Sequence, residues 1–271
     1  MQNFFSISGK VSGKIAVILC AVHGDEVCGV RAVEKVLKNI KINSGVVYFI
    51  VGNPKALEQN KRFVDANLNR IFRDDRDLSS EEKQSYEYKR SREIIPYLLQ
   101  SDALLDLHSS ASSNTKAFAI CEKHSFSVAK NLPVEIISSG WDLLEPGGTD
   151  YFMNKQGKVG ICVECGNHSD PKAEVVAYNS IVSFLESLGF LLGKKKTLVS
   201  KKYIKVTSIY RSRVDFKPQK VFGDFEFISE GKEVGLDGKE KVYAPHDGYI
   251  IFCRKRKTPN EEAFLFGEEK N

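Results

Sequence analysis

Two histidines and two glutamates stand where apolar runs of the sequence end. His23 and Glu26 lie in "HGDE", just after the run Lys14–Cys20; His108 closes "DALLDLH" and Glu164 closes "KVGICVE". Two histidines and a glutamate are a common three-ligand set for catalytic zinc. Three protein ligands leave a fourth position for a water, whose pKa zinc lowers to about 7. A carboxylate on the same rim, here Glu164, could take that water's proton and hand it to a leaving amine. His-x-x-Glu alone is weak evidence, and Glu164 alone reads equally well as a solvent-facing acid at a strand end. The weight comes from the set.

The segment "NKRFVDANLNRIFRDD" (Asn60–Asp75) is dense in planar and charged donors: Arg62, Asn67, Asn69 and Arg70. Its bland reading is a polar loop. Arginine forks also suit bidentate capture of a carboxylate, and an arginine can stabilise the oxyanion formed when a carbonyl is attacked.

The elements that must position these groups alternate along the first two-thirds of the chain. Apolar runs predict strands at Lys14–Cys20, Gly45–Asn53, Asp102–His108, Ala117–Cys121 and Lys158–Glu164. Helical spacing of Val27, Val30, Val33, Val36 and Leu37 predicts a helix over Glu26–Asn39. A Ser-x-x-Glu capping signature opens a second helix over Ser79–Gln100, with Pro96 as a kink, and Pro171–Phe190 is the third. The alternation predicts an α/β layered sandwich with a mostly parallel sheet, whose functional groups gather at the carboxyl ends of the strands. From about residue 200 the runs are short and β-rich, with turn signals such as "PHDG". This predicts a catalytic domain over residues 1–198 and a small all-β domain over 199–271, joined by a Lys-rich linker.

A chain of 271 residues buries a substantial core as one large domain or two smaller ones. The net charge of +5 is mild; it does not by itself argue for a nucleic-acid partner, and none is expected, while it favours a small anionic substrate. The basic runs "GKKK" (Gly193–Lys196) and "RKRK" (Arg254–Lys257) read as solvated surface or linker. No run approaches the roughly 18–20 apolar residues of a membrane span, and the N-terminus lacks signal-peptide grammar. Six scattered cysteines, four in or beside apolar runs, read as reduced thiols of a cytoplasmic protein. A homo-oligomer is left open.

Taken together, "HGDE" (His23–Glu26), "GNPKAL" (Gly52–Leu57), "RFVDANLNRIF" (Arg62–Phe72), "DLHSS" (Asp106–Ser110) and "VECG" (Val163–Gly166) resemble, in order and approximate spacing, the succinylglutamate desuccinylase/aspartoacylase family of zinc carboxypeptidase-like hydrolases. The resemblance covers roughly residues 14–190, and the trailing β-rich part fits the family plan. It implies a zinc carboxypeptidase-like three-layer α/β/α sandwich with a mixed, mostly parallel sheet, plus the small C-terminal all-β domain. It implies one zinc per chain on His23, Glu26 and His108, with Glu164 as general base and acid. Arg62 would polarise the scissile carbonyl, and Asn69 and Arg70 would hold a substrate carboxylate. The implied reaction is hydrolysis of the amide bond of a small N-acyl amino acid.

The sequence departs from the pattern in two places. Members acting on N-acetylaspartate carry a second arginine about ten residues before the catalytic glutamate; here "YFMNKQGK" (Tyr151–Lys158) has none, and Lys155 is the candidate substitute, a point charge without the bidentate fork. A tyrosine expected near the C-terminus has no clear counterpart in "RKRKTPNEEAFLF". The runner-up reading is a zinc carboxypeptidase or amidase acting on short peptides; a non-catalytic binding protein of the same fold is a third, disfavoured by the intact set.

Other residues carry less. Strand alternation sends Cys162 and Cys165 of "CVEC" to opposite faces, against a redox or zinc pair. Asp106 shares a face with His108 and could orient a ligand or cap a buried group. His168 reads first as a surface-loop residue and otherwise as one that supports the site's ligands, and Trp141 as a core or pocket-mouth residue. Gly147–Gly148 suggests a mobile loop, Gly24 a tight turn, and Asp25 an acid favouring the next helix N-terminus.

Overall fold

The alternating apolar runs do form strands. The computed structural model describes residues 2–112, 114–193 and 200–270. In the first part of the chain the strands are β1 (Phe4–Ser8), β2 (Val11–Cys20), β3 (Ser44–Val51), β4 (Ala103–Ser110), β5 (Phe118–Ile120), β6 (Ile136–Ser139) and β7 (Val159–Asn167). The later ones are β8 (Lys202–Arg211), β9 (Phe216–Pro218), β10 (Glu226–Ile228), β11 (Glu233–Asp237), β12 (Glu240–Tyr243), β13 (Gly248–Ile251) and β14 (Glu262–Lys270). The large sheet has the order β1-β3-β2-β4-β7-β5-β6-β8-β14-β13-β10, and β12-β11-β9 form a small antiparallel sheet. At the centre, β2 pairs in parallel with β3 and β4, and β4 with β7.

Alternation along β2 explains the layers. Ala16, Ile18 and Cys20 face one side, where they meet Val33 and Val36 of the helix Cys28–Asn39 and Ile181 and Phe184 of the helix Pro171–Ser187. Val17 and Leu19 face the other side, against Ile94 and Leu98 of the helix Tyr86–Gln100 and Met153 of the helix Thr149–Lys155. Each such side chain contributes about 1.5–3 kcal/mol by burial. The central strands are covered on both faces, so their runs are continuously apolar. Among the described residues no helix is long and apolar enough to cross a membrane.

The expected helix over Ser79–Gln100 is two helices, Ser80–Gln84 and Tyr86–Gln100. Ser79 and Glu82 close the capping box as expected, but Ser85 is extended (ψ 157°) and its side chain caps the second helix at Tyr88 N. A serine that can bond its own backbone competes with helix continuation. Pro96 lies inside the second helix.

The β-rich C-terminal part continues the large sheet: β8 pairs in parallel with β6, and β14 antiparallel with β8. Phe118, Ile136 and Trp141 share an apolar cluster with Ile204, Phe225, Ile251 and Leu265. The expected domain boundary between residues 198 and 199, and Lys194–Lys196 of the basic run, lie outside the described residues.

Candidate metal and catalytic site

The turn after β2 is built by close approach. Ala21 takes the left-handed conformation (φ 52°), and a Cβ on Gly24 would lie 2.1 Å from the Ala56 carbonyl carbon. Gly24 lies in the turn, as expected, and packing against the helix Pro54–Glu58 leaves no room for a side chain there. The following helix begins at Cys28, with Val27 at its N-cap and no acid in its first turn, so Asp25 does not serve that terminus; it lines the cavity instead.

His23 and Glu26 leave this turn side by side. His23 Nδ1 lies 2.7 Å from Glu26 Oε1, and His108 Nδ1 lies 2.9 Å from Glu26 Oε2. All three side chains are 2–3% exposed. Ser109 N–H donates to Glu26 Oε2 (3.0 Å), and Arg62 Nη1 donates to Glu26 Oε1 (3.1 Å). The neighbouring histidines hold the Glu26 carboxyl well below its usual range against the opposing pull of burial. Burial pushes His23 down; for His108 burial acts the same way, but Asp106, Cys162 and Glu26 outweigh it and the pKa rises.

The segment Asn60–Asp75 is held over the site by a buried acid. Glu87 is fully buried and accepts from the amides of Val64 (2.7 Å), Asp65 and Ala66 (both 3.1 Å) and from Asn53 Nδ2 (2.9 Å). Buried Leu68 anchors the far end. Asn67 Oδ1 accepts from Asn69 N–H (3.0 Å) and lies 3.0 Å from His23 Nε2. Arg70 Nη1 donates to Asn69 O (2.8 Å), while Nη2 pairs with Glu145, which also pairs with Arg211 at 3.2 Å.

On β4 and β7, Asp106 faces Cys162 and His108 faces Glu164 in register. Asp106 Oδ2 accepts from Thr149 Oγ1 (2.6 Å) and lies 3.1 Å from His108 Nε2, which has no aligned hydrogen-bond partner. Glu164 is half-buried, yet its Oε2 is sealed from solvent with no partner among the described residues. Burial first, then the charge of Glu26, push the Glu164 carboxyl up to about 8.

These groups share one cavity of about 450 Å³, lined by His23, Glu26, Arg62, Asn69, Arg70, His108 and Glu164 among others. Lys155 is not among the lining residues; its ammonium sits 2.9 Å from Asp74, and the side chain is 40% exposed. His168, read from sequence as a surface-loop residue, lines the cavity with Nδ1 2.8 Å from Ser109 Oγ. Trp141 both packs and lines: it is stacked 6.3 Å from Phe118, and Nε1 donates to Ser138 Oγ. Gly147 (φ 104°) approaches Arg70 so closely that a Cβ would lie 2.5 Å from its carbonyl oxygen, and Phe72 N–H bonds Gly147 O. The glycine pair serves contact. Cys162 and Cys165 enter different apolar clusters, as alternation requires, and all six cysteines are free.

Sequence reasoning missed Arg254 and Arg256, which line the same cavity from the C-terminal part. The signal was present in "RKRK": alternate residues of an extended stretch share a side.

The donor atoms of His23, Glu26 and His108 lie within 4.8 Å of one another, so one ion could take all three. The pairing of a buried carboxylate with two imidazoles, with a carboxylate behind one of them, is chemistry suited to zinc.

The chain matches known proteins along most of its length. It is 24% identical over 243 residues to a probable aspartoacylase of Prochlorococcus marinus (strain MIT 9312), covering 82% of this chain and 77% of that protein. It is 23% identical over 282 residues to the succinylglutamate desuccinylase of Idiomarina loihiensis, covering 93% and 82%. The crystal structure of succinylglutamate desuccinylase from Vibrio cholerae superposes with a TM-score of 0.80 at 18% identity, covering 100% of this chain and 86% of the other. Residues 12–186 match the succinylglutamate desuccinylase/aspartoacylase catalytic domain, and the chain belongs to that family of N-acyl amino acid hydrolases.

Proposed function

We propose that the protein is a zinc-dependent hydrolase that cleaves the amide bond of a small N-acyl amino acid, on a carboxypeptidase-like α/β/α sandwich. The observation that supports this best is convergence. One cavity holds the His23–Glu26–His108 donor set and, in register beside His108, a carboxyl whose inner oxygen has no partner. Family membership agrees with the reaction class.

His23, Glu26 and His108 would hold one zinc, which supplies Lewis acidity and a water of lowered pKa. Glu164 moves the proton. Burial and the charge of Glu26 raise its proton affinity, which suits a group that takes a proton and returns it to the leaving nitrogen. Arg62, half-exposed at the mouth and already beside Glu26, is placed to donate to the carbonyl oxygen as charge builds there. Arg70 and Asn69 receive the substrate carboxylate, which takes the place of Glu145 on the Arg70 fork.

The test is release of free amine from N-acetyl, N-succinyl and N-formyl amino acids and short peptides with zinc present. Turnover of the acylated amino acids is expected. Cleavage of peptides alone would transfer the site to the peptidase reading, and no release from any of them would overturn it.

A further inference from the structure

The loop between β13 and β14 carries the basic run "RKRK" to the cavity. Arg254, which is exposed, and Arg256, which is partly buried, line it, while the exposed Lys255 and Lys257 do not. The loop is held at several points. Arg254 N–H donates to Ala263 O and Arg256 N–H to Phe216 O, both at 2.9 Å. Ser212 Oγ donates to Thr258 O at 2.5 Å. Phe252, at the loop's start, packs 5.9 Å from both Phe118 and Trp141. The two guanidinium groups therefore sit on a fixed stretch, which lowers the entropic cost of ordering them around a ligand.

Their charge is only partly offset inside the protein, by Asp224 near Arg254 and by Glu261 and Glu262 near Arg256. Arg62 pairs with Glu26, while Arg70 and Arg211 pair with Glu145. Arg254 and Arg256 form no ion pair among the described residues. Each donates through Nε to a backbone carbonyl: Arg254 to Phe252 O at 3.3 Å, Arg256 to Glu262 O. Glu262 also lines the cavity, and with Glu261 it partly offsets burial and the like charge of Arg254, which together still lower the Arg256 pKa. Two arginines side by side, with their outer N–H groups free of carboxylates, are a receptor for an anion; the fork geometry favours a carboxylate. Lys155, the sequence candidate for such a role, is engaged with Asp74 outside the cavity.

We propose that Arg254 and Arg256 are specificity-determining residues that bind a second carboxylate of the substrate. This rests on the reading of the cavity as an N-acyl amino acid site. The carboxylate can belong to the amino-acid side chain or to the far end of the acyl group; the chemistry is shared, and substrates separate the two.

The experiment uses the zinc-loaded full chain with N-acetylalanine, N-acetylaspartate and N-succinylalanine, for the wild type, Arg254→Gln, Arg256→Gln and Arg256→Lys. The quantity read is the ratio of kcat/KM for each dianion to that for N-acetylalanine. The wild type is expected to prefer one dianion, and the preferred one tells which end carries the carboxylate. Each Gln variant should reduce that preference about tenfold or more, mainly through KM, with Arg256→Lys intermediate. A wild type without preference, or variants that keep it, would overturn the proposal. Glutarate against butyrate binding, measured by calorimetry on the same proteins, reads the arginines without turnover. If the wild type releases no amine from any of the three substrates, the assigned reaction falls, and calorimetry still decides this proposal: loss of glutarate binding in the variants sustains it, and unchanged binding ends it. Should a Gln variant fail to fold, Arg256→Lys in both measurements carries the decision.

Discussion

His108 and Glu164 are register partners on adjacent parallel strands, so a metal-donor histidine and a carboxyl with one partnerless buried oxygen project to the same side of the sheet. Neighbouring strands lie about 4.8 Å apart in the hydrogen-bonding direction. That spacing puts Glu164 next to the donor set without making it part of the set.

Glu164→Gln tests this separation. The amide keeps the shape and loses the proton traffic. The variant should bind about one zinc per chain while turnover falls by roughly 10²–10⁴, the usual contribution of general acid–base catalysis. Metal analysis and single-turnover kinetics read the two halves; full activity would show that another group moves the proton.

His108→Ala removes a donor and uncovers Glu26. It should abolish zinc retention during dialysis. A chelator should lower the Tm of the wild type, because a ligand at about 1,000 times its Kd stabilises the fold by about 4 kcal/mol. The variant's melt should be indifferent to the chelator, as calorimetry would show.

Glu87→Ala is expected to damage the site from a distance. Four donors from Asn53, Val64, Asp65 and Ala66 lose their acceptor. Asn53 is buried, and stranding its amide costs about 1–3 kcal/mol, while the amides of Val64, Asp65 and Ala66 are near enough to solvent to turn to water, so a loss of about 1–3 kcal/mol in denaturant unfolding is expected. Zinc binding should survive, while kcat/KM should fall through the displaced Arg62 and Asn67.

Arg70→Ala should raise KM for an anionic substrate more than it lowers kcat. Glu145→Gln should act oppositely, lowering KM, because the competing internal carboxylate is gone. An equal KM change for a neutral amide would contradict a carboxylate role for Arg70.

Asp150 gives a pH signature. Burial, then the charge of Asp142, push its carboxyl up to about 7, against about 3.9 in an unfolded chain. The folded state therefore binds the proton more tightly. This group's contribution to stability is full below about pH 3.9 and is lost as pH rises through about 7. Asp150→Asn should be at least as stable as the wild type at pH 8 and lose that advantage toward pH 5, as thermal melts across the range would show.

The strand ends bearing His23, His108 and Glu164 were legible because burial on both faces makes central parallel strands continuously apolar, and the run stops where the chemistry begins. The capping box at Ser79 was legible because its partners are three residues apart. The break at Ser85 was not, since a serine mid-helix and a serine between helices look alike until the backbone commits. The short strands β1 and β6 escaped notice because serines interrupt them (FFSIS and IISS), so neither reads as an apolar run, whereas the shorter β5 (FAI) does.

By itself the sequence determined which groups stand near the carboxyl ends of strands, a local matter of periodicity, although β4 and β7 run on past His108 and Glu164 to Ser110 and Asn167. The tertiary structure decided which of them meet. Strand order brings His108 beside Glu164, and a buried carboxylate at Glu87 folds the Arg62–Arg70 segment over His23 and Glu26. Lys155 is drawn outward to Asp74, while Arg254 and Arg256, about a hundred residues further along, enter the cavity. These are contacts between distant parts of the chain, set by sheet order and shared packing, and no local pattern encodes them.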